Sequence, residues 1–441
     1  MDFKNMSLKK TFWRFIWPSV FAQWIFALYT MVDGLFVARG VSEAALAAVN
    51  IASPFVNFLF SVSILFAVGT STIVAICLGK SEQRKAEEAY TQSLLLLLGV
   101  SAVIMLTVLL NLNEVSLFLG ATAENLNDVK HYILSILPFS WCFIIAYSFE
   151  ILVKTDGYPK FATIAVTVGA VLNCILDFLF VMVFHWGIGG AGLATGISQC
   201  VLVFIYLSHF LSSRATIRFR KFRWDIPQIV RSVKIGLSSC LTEFSAGITV
   251  FLFNHTILKY LGNEGIISYT IIAYINTIVV MSLAGIAQGA QPLISFYYGK
   301  GEKKKCITLL KYGMIFSVGL GILAFTAVMA GADWLVGMFI SPELVVLRAM
   351  SASAFRIFSC SFLIMGINIQ MGGYFTAVER ARPALIISLG RGFVTIAIAL
   401  NVCTWLYGGA GIWWSSAVSE FLCLILTAVF GYQYKKQASL Y

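Results

Sequence analysis

Two aspartates stand inside long apolar segments of the sequence, where an ionisable side chain is costly. Asp33 lies in YTMVDGLFVARG and has Tyr29 one helical turn before it, while Asp177 lies in LNCILDFLF and has Asn173 one turn before it. Residues four apart share a face of a helix, so each pair presents its polar groups together. An ionisable residue at such a place usually has a function or a partner.

A hydroxyl group extends this polar set. Thr195 follows a GGAG turn and begins the segment after that of Asp177. Both aspartates come late in segments that run in the same direction, so we expect all three residues at similar depth. Two carboxylates, an amide oxygen and a hydroxyl suit a hard cation such as Na⁺, and two neighbouring carboxylates can also share a proton. In the alternative interpretation, Asp33 pairs with Arg39 and Asp177 is a helix-end residue.

Three glutamates also lie within apolar segments. Glu150 precedes Lys154 by four residues, the spacing of a helical ion pair, which favours a structural role. Glu243 has no basic neighbour in the sequence and is the candidate in the second half for contact with a cationic substrate.

The third glutamate, Glu420, could pair with Arg391 or Arg356 in a satisfied buried network. No histidine or cysteine spacing indicates a metal site or a disulfide framework. We therefore expect no cofactor. The only bound species we expect is an ion, Na⁺ or H⁺, at the acidic residues.

The composition decides which solvent surrounds the protein. Of 441 residues, 59% are hydrophobic and 12% are charged, and the mean hydropathy is +0.87. Soluble proteins carry roughly 25% charged residues, so this chain cannot cover its core with polar surface. The sequence predicts an all-α integral membrane protein.

Twelve apolar stretches match the roughly 20 residues that a bilayer core of about 30 Å requires. The predicted spans are approximately 12–37, 44–78, 88–112, 131–152, 159–184, 190–212, 230–258, 265–298, 306–330, 344–375, 383–406 and 410–432.

The basic residues predict the orientation of these spans. Of the 31 Lys and Arg residues, 25 fall on one side of the predicted membrane, four on the other and two within spans. Positive loops face the cytoplasm, so we expect both termini inside a cell (plasma or inner) membrane. The net charge of +11 then reflects topology, and we expect no nucleic-acid partner.

The two halves of the sequence repeat one another. Gly69 and Gly289, and the GGAG turns of the two halves, recur at offsets of 220 and 219. Each half has six spans, an even number, which makes the repeat parallel, and such transporters bind substrate between their halves. We expect two six-helix bundles with a central cavity: an N-terminal lobe (1–212), a basic linker (213–229) and a C-terminal lobe (230–441).

This layout resembles the multidrug and toxic compound extrusion (MATE) family over essentially the whole chain. The matching stretches are Pro18 with VDGLFVARG, GAQPLISFYYGKG after span 8, and LNCILDFLF with the GGAG turn and Thr195. The resemblance implies coupling-cation roles for residues of the N-terminal lobe and a cavity position for Tyr29. The coupling residues so implied are Asp33, Asn173, Asp177 and Thr195.

Another branch of the family uses acidic residues of its C-terminal lobe. Glu243 resembles one of them, but the span 10 stretch AFRIFSCSFLIMGINIQM lacks the second. This difference favours a coupling site in the N-terminal lobe.

The resemblance implies a monomeric antiporter rather than an enzyme, exporting amphipathic, mostly cationic drugs from the lipid bilayer by alternating access. One alternative is a flippase for lipid-linked oligosaccharides from the same superfamily, which would need basic residues within the spans, where only Arg356 and Arg391 are available. An intramembrane enzyme such as a prenyl transferase would need metal-binding acidic motifs, and the sequence has none.

Overall fold

The computed structural model describes residues 7–438, except for the side chains of Glu43, Gln437 and Ala438. Lys4, which contributes to the predicted orientation, lies outside the described residues. Within them the chain folds into helices and contains no strand. The fold class predicted from composition and span length is therefore confirmed.

Eight helices and one π-helical stretch make up the first half of the chain. Hydroxyl side chains cap two of the helices: the Ser42 Oγ accepts from the N–H of Ala45 at 3.0 Å, and this satisfies one of the free donors at a helix start. The helices are α1 (Leu8–Gly40), α2 (Glu43–Gly79), α3 (Gln83–Leu110), α4 (Leu112–Phe118), α5 (Leu126–Ile136), α6 (Ser140–Thr155), α7 (Pro159–Asp177) and α8 (Gly187–Leu211).

Seven helices follow the linker. They are α9 (Ile226–Gly299), α10 (Lys303–Gly337), α11 (Val345–Ser359), α12 (Phe362–Ala377), α13 (Ala381–Leu389), α14 (Thr395–Tyr407) and α15 (Gly411–Ala438).

The described helices provide twelve membrane crossings. Nine helical segments are long and apolar enough to cross a bilayer, and the bent pair α11 and α12 forms a tenth. Two of the nine, Ile226–Gly299 with 74 residues and Ala381–Lys436 with 56, each hold two crossings, because one crossing needs only roughly 20 residues.

Two crossings are interrupted where the sequence predicted continuous helices, and a single glycine separates two further crossings within one long helix. The fourth breaks into α5 and α6 at a short 3₁₀ turn that contains Pro138, since proline cannot donate the helical hydrogen bond. The tenth bends by 41° between α11 and α12. Within α9, Gly262 has a φ of +63°, a conformation that favours glycine, and it separates the seventh crossing from the eighth.

The fifth crossing of each half carries a π-helical stretch, Phe178–Val183 after α7 and Gly390–Val394 before α14. Wider π turns occur in short stretches, frequently at functional sites. The first follows Asp177 directly, and the second contains Arg391. The two halves therefore share an irregular feature in addition to their repeated sequence.

The chain divides into two compact units. One contains the described residues up to Gly236 together with Ser295–Glu302, and the other contains Leu237–Ile294 and the residues from Lys303 onward. The lobe boundaries predicted from the sequence stay predictions.

The linker, residues 212–225, is fixed to the helix ends of the first unit by a buried carboxylate. Asp156 follows α6 and accepts the N–H groups of Thr216 and Ile217 at 3.1 Å. His209 of α8 lies 2.9 Å from its Oδ2. We call the side of the first unit on which this linker lies the linker side.

In the second unit, Glu420 pairs with Arg391, one of the two partners considered from the sequence. The Arg391 Nε lies 2.8 Å from Glu420 Oε1, and Asn368 Nδ2 donates to Glu420 Oε2 at 2.7 Å. Arg356 contacts Asp333 instead, at 2.6 Å. Every oxygen of this buried carboxylate therefore has a donor.

Replacing Arg391 by methionine should leave the Glu420 carboxylate buried without its cation and lower stability by about 3–5 kcal/mol. The double substitution R391M/E420Q removes both charges and should recover most of the loss. Thermal unfolding of the purified protein in detergent measures both effects. Equal losses in the single and double variants would contradict the pairing.

Candidate functional site

Asp33 and Asp177 come together because α1 packs along α7. Phe36 of α1 meets Phe178, the residue after Asp177, with ring centroids 6.5 Å apart. The two carboxyl groups are close enough for their charges to interact directly, and Tyr29 lies within electrostatic reach of both. The structure therefore brings together two carboxylates that are 144 residues apart in the sequence.

Small residues place Thr195 beside them. In α8 a β-carbon at Gly192 would collide with the Ser135 hydroxyl, and one at Gly196 would collide with the Phe139 ring. Glycine at both positions allows α8 to approach the fourth crossing closely. The amide of Asn173 donates to Thr195 Oγ1 at 3.5 Å, a long hydrogen bond.

We call Asp33, Asn173, Asp177 and Thr195 the acidic cluster. All four are contributed by the first unit. Asn173 and Asp177 are buried, whereas Asp33 and Thr195 are partly buried.

The acidic cluster has more buried acceptors than donors. The described residues donate no hydrogen bond to Asp33 Oδ1, to Asn173 Oδ1 or to either carboxylate oxygen of Asp177. Native structures satisfy most buried polar atoms, and leaving one unsatisfied costs about 1–3 kcal/mol. Four such oxygens converging in one place form a site that a cation or a proton would complete.

An elongated cavity of about 40 Å³ runs beside the cluster. Asn173, Thr195 and Tyr29 contribute to its wall, and Asp177 lies one helical turn beyond Asn173. One water molecule needs roughly 10–15 Å³ of such a cavity. The cavity therefore has room for about three waters or a partly hydrated ion. It is too small for a drug-sized molecule.

The polar groups of the acidic cluster that lack a donor are all oxygen atoms, and they define which ions the site can hold. The described residues contain no group of three or more His, Cys, Asp or Glu side chains that could hold a metal ion. Carboxylate, amide and hydroxyl oxygens suit hard cations. The arrangement can therefore bind Na⁺, or hold a proton between its two carboxylates.

The alternative interpretation of Asp33 fails. Arg39 forms no ion pair with it among the described residues, and one Asp33 oxygen is buried without a partner. Asp177 is the last residue of α7, but the crossing continues as a π-helical stretch and the Asp177 side chain is fully buried.

Glu150 lines the same cavity, a position that the sequence analysis missed. Its predicted pair with Lys154 is confirmed, with Lys154 Nζ 2.6 Å from Glu150 Oε1. The i,i+4 spacing accounts for the pair by itself and does not indicate that Glu150 lies in the wall of a cavity. Gln199 of α8 also contributes to the wall, and no signal in the sequence distinguished it from other polar residues.

Glu243 lies in the second unit, on α9. Its side chain is exposed on the surface of the helix, and the described residues form no ion pair with it.

Twelve crossings in two repeated halves, with an ion-sized acidic site inside one bundle, define a membrane transporter of the parallel-repeat class. The MatE family model matches the chain twice, over residues 18–179 and 235–403. The chain therefore belongs to the MatE family, and the double match coincides with the internal repeat.

Curated relatives cover nearly the whole chain. The multidrug export protein MepA of Staphylococcus aureus strain bovine RF122 is 24% identical over 437 residues, covering 98% of this chain and 95% of that protein. MepA of Staphylococcus saprophyticus is 25% identical, with the same coverage.

Solved structures share the fold. An outward-facing multidrug resistance MATE family transporter of the MOP superfamily has a TM-score of 0.92 at 21% identity, covering 99% of this chain and 97% of that chain. The Vibrio cholerae MATE transporter VcmN has a TM-score of 0.90 at 19% identity, covering 98% of both chains. A MOP superfamily transporter from Pyrococcus furiosus, described with a binding pocket of reverse polarity, has a TM-score of 0.89 at 21% identity, covering 97% and 96%.

Replacing Asp177 by asparagine should raise the melting temperature measured without Na⁺ by a few degrees. The amide removes the repulsion between the two carboxylates and can donate to Asp33. The same variant should lose the stabilisation that added Na⁺ gives the parent protein. Thermal unfolding in detergent at alkaline pH, with and without NaCl, measures both.

The exposed aspartate Asp128, replaced by asparagine, is the matched control and should behave like the parent. A lower melting temperature for D177N without Na⁺ would show that the carboxylate is already satisfied within the protein.

Proposed function

We propose that the chain exports amphipathic, mostly cationic organic compounds across the cell membrane in exchange for Na⁺ or H⁺. The coupling cation binds at the acidic cluster. The observation that carries the proposal is the convergence of four buried oxygens without donors beside an ion-sized cavity. The multidrug export function of the MepA relatives supports the choice of substrate class.

The membrane potential supplies part of the driving force. One positive charge that enters down 100 mV releases about 2.3 kcal/mol, and its concentration gradient adds to this. The cation enters the low-dielectric bundle only because two carboxylates compensate its charge.

Cation binding changes the relation between α1 and α7. The bound ion removes the repulsion between Asp33 and Asp177 and draws the two helices together. Pro18 lies inside α1 and lacks an N–H group, so the helix can bend there. The bend reduces the space available to the drug, and the drug leaves on the outer side of the membrane. In the next step the ion is released on the inner side.

The orientation follows from the basic loops, as predicted from the sequence. The linker side faces the cytoplasm, the protein lies in the plasma or inner membrane, and the monomer is the working unit. The all-oxygen cluster favours Na⁺ over H⁺ as the coupling ion.

A flippase for lipid-linked oligosaccharides is not favoured. Its anionic substrate would require available cations within the spans, and the two candidates, Arg391 and Arg356, contact Glu420 and Asp333.

Ethidium efflux from loaded cells, with a Na⁺ gradient and a pH gradient imposed separately, tests the function. Na⁺ alone should drive efflux in the parent protein, and Asp33→Asn should abolish the driven component. The control D128N should retain it. Efflux driven only by the pH gradient would change the ion to H⁺, and efflux driven by neither gradient would contradict the antiport.

Replacing Glu243 by glutamine should raise the KM for ethidium about fivefold, because an accessible ion pair contributes about 1 kcal/mol. The dependence on the coupling cation should be unchanged. Initial rates of ethidium transport and of an uncharged dye, measured side by side in the same variant, separate the two effects. A parallel loss for the uncharged dye would exclude charge recognition by Glu243.

A further inference from the structure

The cavity beside the acidic cluster extends far toward the linker side. Asn173 lies 14 residues into α7 and thus about 21 Å from its start at Pro159, given a rise of about 1.5 Å per residue. Glu150 lies five residues before the end of α6, only about 8 Å from the same side. Both residues line the cavity, so it connects two levels of the bundle that are about 13 Å apart.

A carboxylate stands at each end of this passage. Asp177 lies one turn beyond Asn173, and Glu150 lies at the end near the linker side. Tyr29 is within electrostatic reach of both. The charges at the two ends therefore act on one side chain of the cavity wall, whose lining is otherwise mainly apolar.

Only one oxygen of the Glu150 carboxylate accepts a hydrogen bond from the described residues. Oε1 accepts from the Lys154 ammonium, and no described residue donates to Oε2. The Gln199 amide, which also lines the cavity, has no hydrogen bond among the described residues, but it lies 12 residues before the end of α8 and thus about 18 Å from the linker side. The oxygen ligand available at the linker-side end is therefore Glu150 Oε2.

The Lys154 ammonium depends on Glu150. Its side chain is 3% exposed and that of Glu150 is 13% exposed, and the described residues give this ammonium no other ion-pair or hydrogen-bond partner. A lysine ammonium has three donors, so two stay unused. Among the described residues, the positive charge of Lys154 is therefore compensated by the Glu150 carboxylate alone.

We propose that Glu150 forms a second site for a monovalent cation at the linker-side end of the cavity, and that the Lys154 ammonium is its built-in occupant. A coupling cation that has left the acidic cluster displaces the ammonium and passes to the linker side. This inference rests on the proposed function for the identity of the coupling ion, but the site itself follows from the cavity and the ion pair.

The displaced ammonium has a place to go. Lys154 lies one residue before the end of α6, where the last carbonyls of the helix attract cations. Its flexible stem lets the charged group reach the polar edge of the bundle. While the ammonium stays on Glu150, it neutralises the carboxylate that the cation would need, and the cation does not leak from the cavity to the linker side without transport.

A purely structural ion pair is the competing explanation. The pair Arg84 and Glu88 has the same i,i+4 spacing, with 2.8 Å between the charged atoms, but it lies on the surface of α3, away from the cavity. It is therefore a matched control for the removal of one charge from a helical pair.

Binding of radioactive sodium to the purified full-length protein in detergent tests the proposal. Lys154→Gln leaves a bare carboxylate in a low-dielectric cavity and should tighten sodium binding by about tenfold or more. The double variant E150Q/K154Q should lose this gain, K154R should behave like the parent, and R84Q should show no change.

Sodium uptake into proteoliposomes without drug gives an independent readout. K154Q should leak sodium, whereas the parent, K154R and E150Q/K154Q should not. Parent-like binding and no leak in K154Q would overturn the proposal, as would an equal gain in R84Q. Neither readout requires drug transport, so a failure of ethidium efflux in the parent protein would contradict the proposed function without deciding this inference.

Discussion

The structure depends on one electrostatic constraint, the enclosure of two like-charged carboxylates inside an apolar helix bundle. Asp33 and Asp177 lie close together with too few donors for their oxygens. In a medium of low dielectric constant their repulsion is strong, and tight packing of α1 against α7 must oppose it. A bound cation or a proton reverses the sign of this interaction. The same contact is therefore unfavourable without the ion and favourable with it, which is the property that a coupling site needs.

The two halves show how a duplicated fold can be used in different ways. Both place a π-helical stretch in the fifth crossing. In the second half the nearby carboxylate of Glu420 has an arginine and an amide as donors, so its charge is compensated within the protein. In the first half Asp177 has no donor. A satisfied network stabilises its bundle, whereas buried oxygens without donors cost free energy until something binds them.

Charge compensation by a lysine offers a further lesson about buried ion pairs. The pair of Glu150 and Lys154 would be a weak argument for stability, because desolvation offsets most of the attraction. Glu150 lies in the wall of an ion-sized cavity, so the pair also determines how far a carboxylate of that wall is neutralised. A tethered ammonium can keep a carboxylate neutralised at rest and still yield to a free cation of the same charge, so compensation need not be permanent.

The sequence by itself determined the membrane class, the repeat and the acidic residues of the first half, because hydrophobic length, loop charge and the cost of a buried carboxylate are all local properties. It also predicted the pair of Glu150 and Lys154 from its helical spacing. Only the tertiary structure decided that Asp33 meets Asp177, that the turn at Pro138 interrupts the fourth crossing, and that Glu150 lines the cavity. These features depend on which helix faces contact one another across the bundle, and no periodicity along a single segment specifies that choice.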